Sequence, residues 1–197
     1  AQSYFDMGDY TNARKWYARR TEMGSWDEEV YYSLARLAES MSHLGEPWPD
    51  VQDAYLRAWA YRPTRAEPLH AIAYQYRTDQ RYQLGYLFAE RAAQIPLPEG
   101  DTLFVGAEVY NWRALDEQAV CASWIDKHQE AFALCRRVLA RDDLHEEALR
   151  ALMRSLTETG ERSQALRAYQ RFASRLRDEL EAEPHAETLE LAGSIKG

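Results

Sequence analysis

The side chains that could hold a metal ion are scattered along this sequence. Histidine and cysteine are the usual zinc ligands, and a site needs several of them at short, regular spacing. His128 and Cys135 are close in sequence, but their separation of seven residues fits a turn residue followed by a core thiol. No two histidines stand four residues apart among the five in the chain: His43, His70, His128, His145 and His185. The sequence therefore predicts no metal site.

Paired acidic residues are the remaining candidates for acid–base chemistry. The pairs Glu28-Glu29, Asp142-Asp143 and Glu146-Glu147 fall at the starts of segments with helical periodicity. Carboxylates at these positions are stabilised by the positive end of the helix dipole. They are therefore interpreted as solvated charges rather than as catalytic acids or bases. Glycines are too few and too isolated for a phosphate-binding loop, and no Asp-X-Asp follows a predicted strand. We therefore predict no catalytic residues, no cofactor and no enzymatic activity.

The composition favours helices and disfavours several partners. Hydrophobic residues make up 46% of the chain, and Ala, Leu, Arg and Glu outnumber Gly and Pro. The net charge of -8 predicts no binding to nucleic acid. No apolar run approaches the ~20 residues of a membrane span, so no membrane association is expected. Cys121 and Cys135 are too few for a disulfide framework and are predicted to be buried thiols.

The chain opens on Ala1 without a methionine or a signal peptide. This start predicts an excised or processed piece of a longer sequence. Together with the predicted reduced thiols, it favours a cytoplasmic protein, or a recombinant one if the sequence is engineered. Its expected state is a monomer or a weak homodimer.

A recurring phrase organises the chain: a tight turn is followed by a small residue that opens an amphipathic helix. Ala131 and Ala165 occupy this position 34 residues apart, as do Val51 and Gly85. This is the period of tetratricopeptide helix pairs. The copies begin at Gly8-Asp9-Tyr10, Gly45-Glu46-Pro47, Gln80-Arg81-Tyr82, Asp126-Lys127-His128 and Gly160-Glu161-Arg162.

Helical stripes lie on both sides of each turn. Apolar residues spaced i, i+3, i+4 and i+7 share one face of a helix and must be buried against a neighbour. First-helix stripes are Leu34-Leu37-Ala38-Met41, Leu69-Ile72-Ala73-Tyr76, Leu115-Gln118-Ala119-Ala122 and Leu149-Leu152-Met153-Leu156. Second-helix stripes are Ala13-Trp16-Tyr17, Val51-Ala54-Tyr55-Ala58 and Ala165-Ala168-Tyr169-Phe172.

Stops, caps and one insertion complete the pattern. Prolines 63, 96, 98 and 184 follow second helices, and Thr64 and Asp143 are predicted N-caps, Thr64 forming a capping box with Glu67. Extra residues at about 96–109 break the period, and we expect Leu103-Phe104-Val105 to pack this loop onto the helices. We predict an all-α, tetratricopeptide-like α-solenoid, a right-handed superhelix of antiparallel helix pairs, with a C-terminal capping helix over His185–Ile195.

In such arrays the first helices line a concave groove, and the residues beside each buried stripe point into it. Aromatic side chains mixed with both signs of charge suit a peptide or a sugar, although an ordinary wetted surface would have the same composition. A peptide or protein is the expected partner. The predicted groove residues are Tyr32, Glu39, His43, His70, Tyr74, Arg77, Arg113, Asp116, Trp124, Arg150 and Arg154.

Two resemblances divide the chain. Residues 1 to about 141 resemble the tetratricopeptide-like region that follows the catalytic domain in some bacterial family 2 glycosyltransferases. The resemblance implies that a catalytic domain would have preceded Ala1. The phrases that carry it are Ala1-Gln2-Ser3-Tyr4-Phe5-Asp6, Trp26-Asp27-Glu28-Glu29-Val30-Tyr31-Tyr32, Tyr61-Arg62-Pro63-Thr64-Arg65-Ala66-Glu67-Pro68 and Val109-Tyr110-Asn111-Trp112-Arg113-Ala114-Leu115-Asp116-Glu117.

Residues from about 143 to 191 are similar instead to the last helix pair of the bacterial transcriptional activator domain, without the helices that precede it or a DNA-binding winged helix. The stretches Glu146–Met153, Gly160–Tyr169 and Leu176–Leu180 carry this similarity. Hence 1–142 and 143–197 are predicted to be two repeat types in one continuous solenoid.

The leading hypothesis is a non-catalytic scaffold, a designed fusion of two repeat proteins spliced near 131–150. The alternative is a natural or excised interaction module of a bacterial glycosyltransferase that binds a partner protein or a glycan.

Overall fold

The computed structural model describes residues 1–197, and its regular structure is entirely helical. Helices alternate with short turns, as the repeat phrase predicts. A π-helical turn over Val109–Arg113 runs directly into α7. The α-helices are α1 (Gln2–Asp6), α2 (Tyr10–Glu22), α3 (Asp27–His43), α4 (Trp48–Tyr61), α5 (Glu67–Thr78), α6 (Tyr82–Ala93), α7 (Ala114–Trp124), α8 (His128–Leu139), α9 (Glu146–Glu158), α10 (Arg162–Leu180) and α11 (Ala186–Lys196).

The chain divides into two compact units. Unit 1 comprises Ala1–Ile72 and Arg91–Asn111, and unit 2 comprises Ala73–Glu90 and Trp112–Gly197. In unit 1, α2 packs against α1 and α3, and α3 packs against α4. In unit 2, α9 contacts α7, α8, α10 and α11.

Most predicted stripes are buried. All four residues of the stripes that begin at Val51, Leu69 and Leu149 are buried, because each face packs against other helices. Two stripes differ from the prediction. On α3 only Ala38 of its stripe is buried, and Val30 and Tyr31 form the buried face instead. Trp16 on α2 is exposed, whereas Ala13 and Tyr17 beside it are buried.

Both predicted N-caps are wrong. Helix α5 begins at Glu67, so Thr64 lies outside the helix, and Glu67 instead pairs with the guanidinium of Arg65. Helix α9 is capped by His145, whose Nδ1 accepts the backbone N–H of Ala148 at 3.2 Å. A ring nitrogen two residues beyond Asp143 therefore replaces the expected carboxylate.

The remaining predictions about local structure have mixed outcomes. Cys121 and Cys135 are free, buried thiols, as predicted. The predicted C-terminal helix is present as α11, but it buries Thr188, Ala192 and Ile195 rather than Leu189. No group of three or more His, Cys, Asp or Glu side chains is placed to hold a metal ion. None of the helices combines the length and the apolar character needed to cross a bilayer.

Candidate functional site

A wide groove in unit 1 is lined mainly by aromatic and apolar side chains. Its volume is about 900 Å³, and its walls come from α1, α2, α3 and the segment before the π-helical turn. Four of its large apolar side chains are exposed: Trp16 by 39%, Met23 by 71%, Trp26 by 50% and Phe104 by 63%. We call this surface the aromatic groove, and its aromatic and apolar lining consists of Trp16, Tyr17, Met23, Trp26, Tyr32, Leu103 and Phe104.

Hydrogen bonds fix the inner wall of the aromatic groove. The hydroxyls of Tyr17 and Tyr32 both donate to Oε1 of Gln2, at 2.9 and 2.5 Å. Phe104 stacks on Tyr32 with 4.7 Å between ring centroids, and the guanidinium of Arg36 lies 5.1 Å from the same ring. Burial raises the pKa of Tyr17, so its phenol stays protonated and keeps donating. The wall is therefore ordered by its own contacts before any partner binds.

A buried ion-pair cluster holds the backbone of Phe104, in addition to the stacking of its ring on Tyr32. Arg65 donates to Glu67 at 2.8 Å, to Asp101 at 3.2 Å and to the carbonyl of Phe104 at 3.0 Å. Its guanidinium also lies 4.5 Å from the ring of Tyr31. With φ of 45° Phe104 adopts a left-handed backbone, and its ring points outward. We call Arg62, Arg65, Glu67 and Asp101 the Arg65 cluster.

The carboxylates of this region are stabilised in their charged form. Hydrogen bonds from Arg62 lower the pKa of Asp101. Burial alone would raise the pKa of Glu67, but hydrogen bonds from Arg65 and Tyr110 outweigh it and lower the pKa. Glu28 accepts the backbone N–H groups of Leu103 and Thr102, which lower its pKa. The expectation that Glu28 is a solvated charge is wrong, because it is buried against these amides.

Unit 2 contains a smaller and more polar pocket of about 160 Å³. Arg154 lies over the ring of Trp124 at 3.6 Å and donates to Oγ of Ser123 at 3.1 Å. Tyr82 stacks on Trp124, with 5.0 Å between centroids and 7° between planes. We call this the charged pocket; it is lined by Arg77, Tyr82, Val120, Trp124, Glu147, Arg150, Arg154 and Glu187.

The cations of the charged pocket differ in how they are neutralised. Arg77 pairs with Glu117 at 2.6 Å and with Glu147 at 3.1 Å. Arg150 lies 3.4 Å from Glu187. Arg154 has no carboxylate partner, and burial lowers its pKa. An anion entering the pocket would therefore meet one cation that the fold leaves uncompensated.

Two buried carboxyl groups lie next to this pocket on α7. Burial raises the pKa of Asp116 to about 7, and the charge of Glu147 adds to the effect. Burial also raises the pKa of Glu117 to about 7, against the hydrogen bond from Arg77. Oδ1 of Asp116 has no hydrogen-bond partner, and Oδ2 lies 3.5 Å from Nε2 of His145. Both carboxyls therefore exchange protons near neutrality.

The eleven predicted groove residues are divided between the two units. Arg77, Trp124, Arg150 and Arg154 all line the charged pocket, and Tyr32 lines the aromatic groove. The other six residues line neither the charged pocket nor the aromatic groove. Asp116 is buried beside His145, Glu39 pairs with Arg36, and His43 stacks on Tyr10. Tyr74 is exposed beside Arg77, Arg113 is exposed in the π-helical turn, and His70 is partly buried on α5.

Sequence reasoning missed the residues that open the aromatic groove. The sequence predicts Trp16 as part of a buried stripe, but the residue is exposed. Met23 and Trp26 flank Gly24 and Ser25, whose φ values of 65° and 81° turn the chain between α2 and α3. The string Met-Gly-Ser-Trp was the available signal, because glycine permits a left-handed turn there and the two large apolar residues beside it lie outside the helical stripes.

The helix pairs define the class of fold. Solved structures of tetratricopeptide repeat proteins are similar to this chain. The protein MamA is 14% identical, with 91% of this chain and 96% of MamA covered and a TM-score of 0.69. YrrB, described as a tetratricopeptide protein with an unusual peptide-binding site, is 14% identical over 99% of this chain and 87% of its own, with a TM-score of 0.69. The all-α, tetratricopeptide-like fold predicted from the sequence is confirmed.

The chain also has a weaker structural similarity to a yeast protein. A complex of the TPR2AB domain of yeast Sti1 with pHSP90 is 13% identical, covering 100% of this chain and 83% of that one, with a TM-score of 0.54. At these identities the likeness shows the fold alone.

One sequence family also matches part of the chain. The profile of the bacterial transcriptional activator domain matches residues 107–196, which is 90 of 197 residues. The predicted similarity to this domain is confirmed and extends further than expected. It includes α7 and α8, so the helices thought to be missing before the last pair are present in the match. No curated protein sequence matches the chain.

Proposed function

We propose that the chain is a non-catalytic interaction module that binds a peptide or an extended segment of a partner protein in the aromatic groove. One observation carries the proposal: four exposed, large apolar side chains line a single groove of about 900 Å³. Contiguous exposed apolar surface is costly in water and marks sites of association. Ordered aromatic side chains supply most of the binding energy at such sites.

The charges at the rim of the groove favour a segment that carries both apolar and acidic residues. Arg19 lies 5.7 Å from the ring of Trp16, and Lys15 lies 6.0 Å from it. Neither cation forms an ion pair, whereas Arg20 is neutralised by Glu29 at 2.7 Å. A carboxylate on the partner would therefore meet free positive charge beside the indole. YrrB, described as having a peptide-binding site, and the Sti1 domain, described in complex with pHSP90, support this choice of partner.

Selection of displayed peptides against the full chain tests the proposal. We expect enriched peptides to contain aromatic or aliphatic residues near an acidic one. Trp16→Ala and Phe104→Ala should each weaken binding at least tenfold, which corresponds to about 1.4 kcal/mol. Leu44→Ala is the matched control, because Leu44 is exposed in the same unit but lies outside the groove. Equal losses in the control and the groove variants would contradict the proposal.

The origin of the chain is a separate proposal. We retain the hypothesis that 1–142 and 143–197 are two repeat types, joined as a designed fusion or forming an ancillary module of a glycosyltransferase. All six Trp and twelve of the thirteen Tyr lie at or before Trp124. This uneven distribution of aromatic residues supports the presence of two repeat types. The activator-domain match, which starts 36 residues before the proposed junction, weighs against a splice near 131–150. Natural sequences that span residues 1–197 without a gap would eliminate the designed fusion.

A further inference from the structure

A second groove lies in unit 2, on residues that the proposed function does not use. Helices α8 and α10 both pack on α9, and a channel remains between them. Two adjoining cavities of about 680 and 370 Å³ occupy this channel and share Arg136, Leu152, Ala168 and Arg171 in their lining. We call the channel the α8–α10 groove.

The floor of this groove is apolar. Leu152 and Leu156 of α9 form its base and are themselves well buried. Phe132 of α8 and Ala168 of α10 form the lower walls, and Leu139 and Phe172 continue the surface into the smaller cavity. A partner that fits here must present an apolar stripe, because polar groups would lose water without gaining hydrogen bonds from this floor.

The rim of the groove is positively charged. Arg136, Arg167 and Arg171 are exposed, and they are the only charged side chains that line the larger cavity. Arg136 lies 5.8 Å from the ring of Phe132, and Arg167 donates to the carbonyl of Ser163 at 3.2 Å. None of the three has a carboxylate within ion-pair distance. Arg175, which lines only the smaller cavity, pairs with Asp143 and Glu179.

This concentration of free positive charge contrasts with the chain as a whole, whose net charge is -8. Like charges so close together repel each other in the free protein. A partner with carboxylates would relieve this repulsion and gain charge-assisted hydrogen bonds. Charge complementarity therefore points to an acidic occupant.

We infer that the α8–α10 groove binds an acidic amphipathic helix of a partner protein. Helix α8 has 12 residues, so the groove is about 18 Å long and accommodates roughly three helical turns. Such a helix would place apolar residues at i, i+3, i+4 and i+7 on the floor and glutamates beside the arginines. A nucleic acid fits less well, because phosphates need the arginines but gain nothing from a recessed apolar floor.

A charge-reversal experiment on the full chain tests this inference. The probe is a displayed library of 14-residue helical peptides with a fixed leucine stripe and with Glu, Lys or Gln at each flanking position. We expect selection to enrich Glu over Lys. The double variant Arg136→Glu/Arg171→Glu should reverse the preference to Lys and weaken binding of the originally selected peptides at least tenfold.

Two controls make the result specific to the groove. Arg137→Glu changes the same charge on the same helix outside the cavity lining and should keep the preference for Glu. Trp16→Ala should weaken the binding of peptides in the aromatic groove and leave this selection unchanged, so the two proposals fail separately.

Three outcomes would overturn the inference: no enrichment of Glu, equal effects of Arg137→Glu and Arg136→Glu/Arg171→Glu, or displacement of selected peptides by a 14-base-pair DNA duplex at equal concentration. Self-association that Arg136→Glu/Arg171→Glu abolishes, measured by sedimentation, would identify a second copy as the occupant and would also overturn it.

Discussion

At the scale of single residues, the buried carboxyl of Asp116 makes the stability of the fold depend on pH. The residue is 5% exposed, and its Oδ1 receives no hydrogen bond. Burial raises its pKa to about 7, well above the value of 3.8 for an exposed aspartate. The folded state therefore holds a proton that the unfolded chain releases. Stability from this group is complete below about pH 4 and is lost as the pH rises through 7.

Asp116→Asn should stabilise unit 2 at pH 8 and have much less effect at pH 4, because the amide keeps the shape without the charge. The expected gain at pH 8 is about 1–3 kcal/mol, the usual scale for a poorly satisfied buried polar group. Urea unfolding at the two pH values measures it. Asp126→Asn is the control, since that side chain is fully exposed. A variant less stable than the parent at pH 8 would contradict the prediction, because ionised Asp116 would then gain more from its neighbours than it loses by burial.

At the scale of the helix pair, Gly85 shows why one copy of the repeat uses glycine. Ala13, Ala131 and Ala165 hold the small-residue position in other copies and are fully buried. A Cβ built on Gly85 would lie 2.7 Å from Sγ of Cys121 and 3.3 Å from the backbone nitrogen of Arg77. Cys121 on α7 already occupies the space that a methyl group fills elsewhere.

Gly85→Ala should therefore destabilise the chain, even though alanine favours a helix by about 0.5–1 kcal/mol. Overpacking costs about 1–3 kcal/mol, which outweighs that gain. In a Cys121→Ala background the same substitution should cost at least about 1 kcal/mol less, and a double-mutant cycle of unfolding free energies measures the difference. Gly193→Ala in α11 meets nothing within 4 Å and should stabilise slightly. Additive effects of Gly85→Ala and Cys121→Ala would contradict the steric explanation.

At the scale of the whole molecule, the two units should respond to pH in opposite directions. In unit 1 the pKa values of Glu28, Glu67 and Asp101 are lowered, so their contribution is present at neutral pH and lost on acidification through the folded pKa. In unit 2 the raised pKa values of Asp116 and Glu117 give a contribution that is present in acid and lost as the pH rises through 7.

Hydrogen exchange at pH 3 and pH 8, corrected for the intrinsic exchange rate, should resolve this difference. We expect amides of α3 to lose protection at pH 3 relative to pH 8, and amides of α7 to gain it. Asp116→Asn should remove much of the change in α7 and leave α3 unaffected. Parallel loss of protection in both helices at the same pH would refute the assignment of separate pH responses.

The sequence by itself determined the helices and most of the core. The stripes of α4, α5 and α9 are buried as predicted, because an apolar face with helical period has no stable place except against another helix. The turns and the small residues after them were also readable, since they depend on neighbours only a few positions away. Arg150 and Arg154, which line the charged pocket, could be placed on one face of α9 for the same reason, because they are one turn apart.

Only the tertiary structure decided the grooves and the environment of the buried charges. Arg65 bonds to residues 36 to 39 positions away, and Glu28 bonds to amides 74 and 75 positions away. No local pattern encodes such pairs, so the sequence predicts Thr64 as a helix cap and gives no sign of the Arg65 cluster. The α8–α10 groove likewise exists only because α8 and α10 pack on α9 with a channel between them. Nothing in the sequence around their arginines indicates that these side chains lie at the rim of one groove. Periodicity reports which face is buried, but the chain must fold before exposed faces become a site.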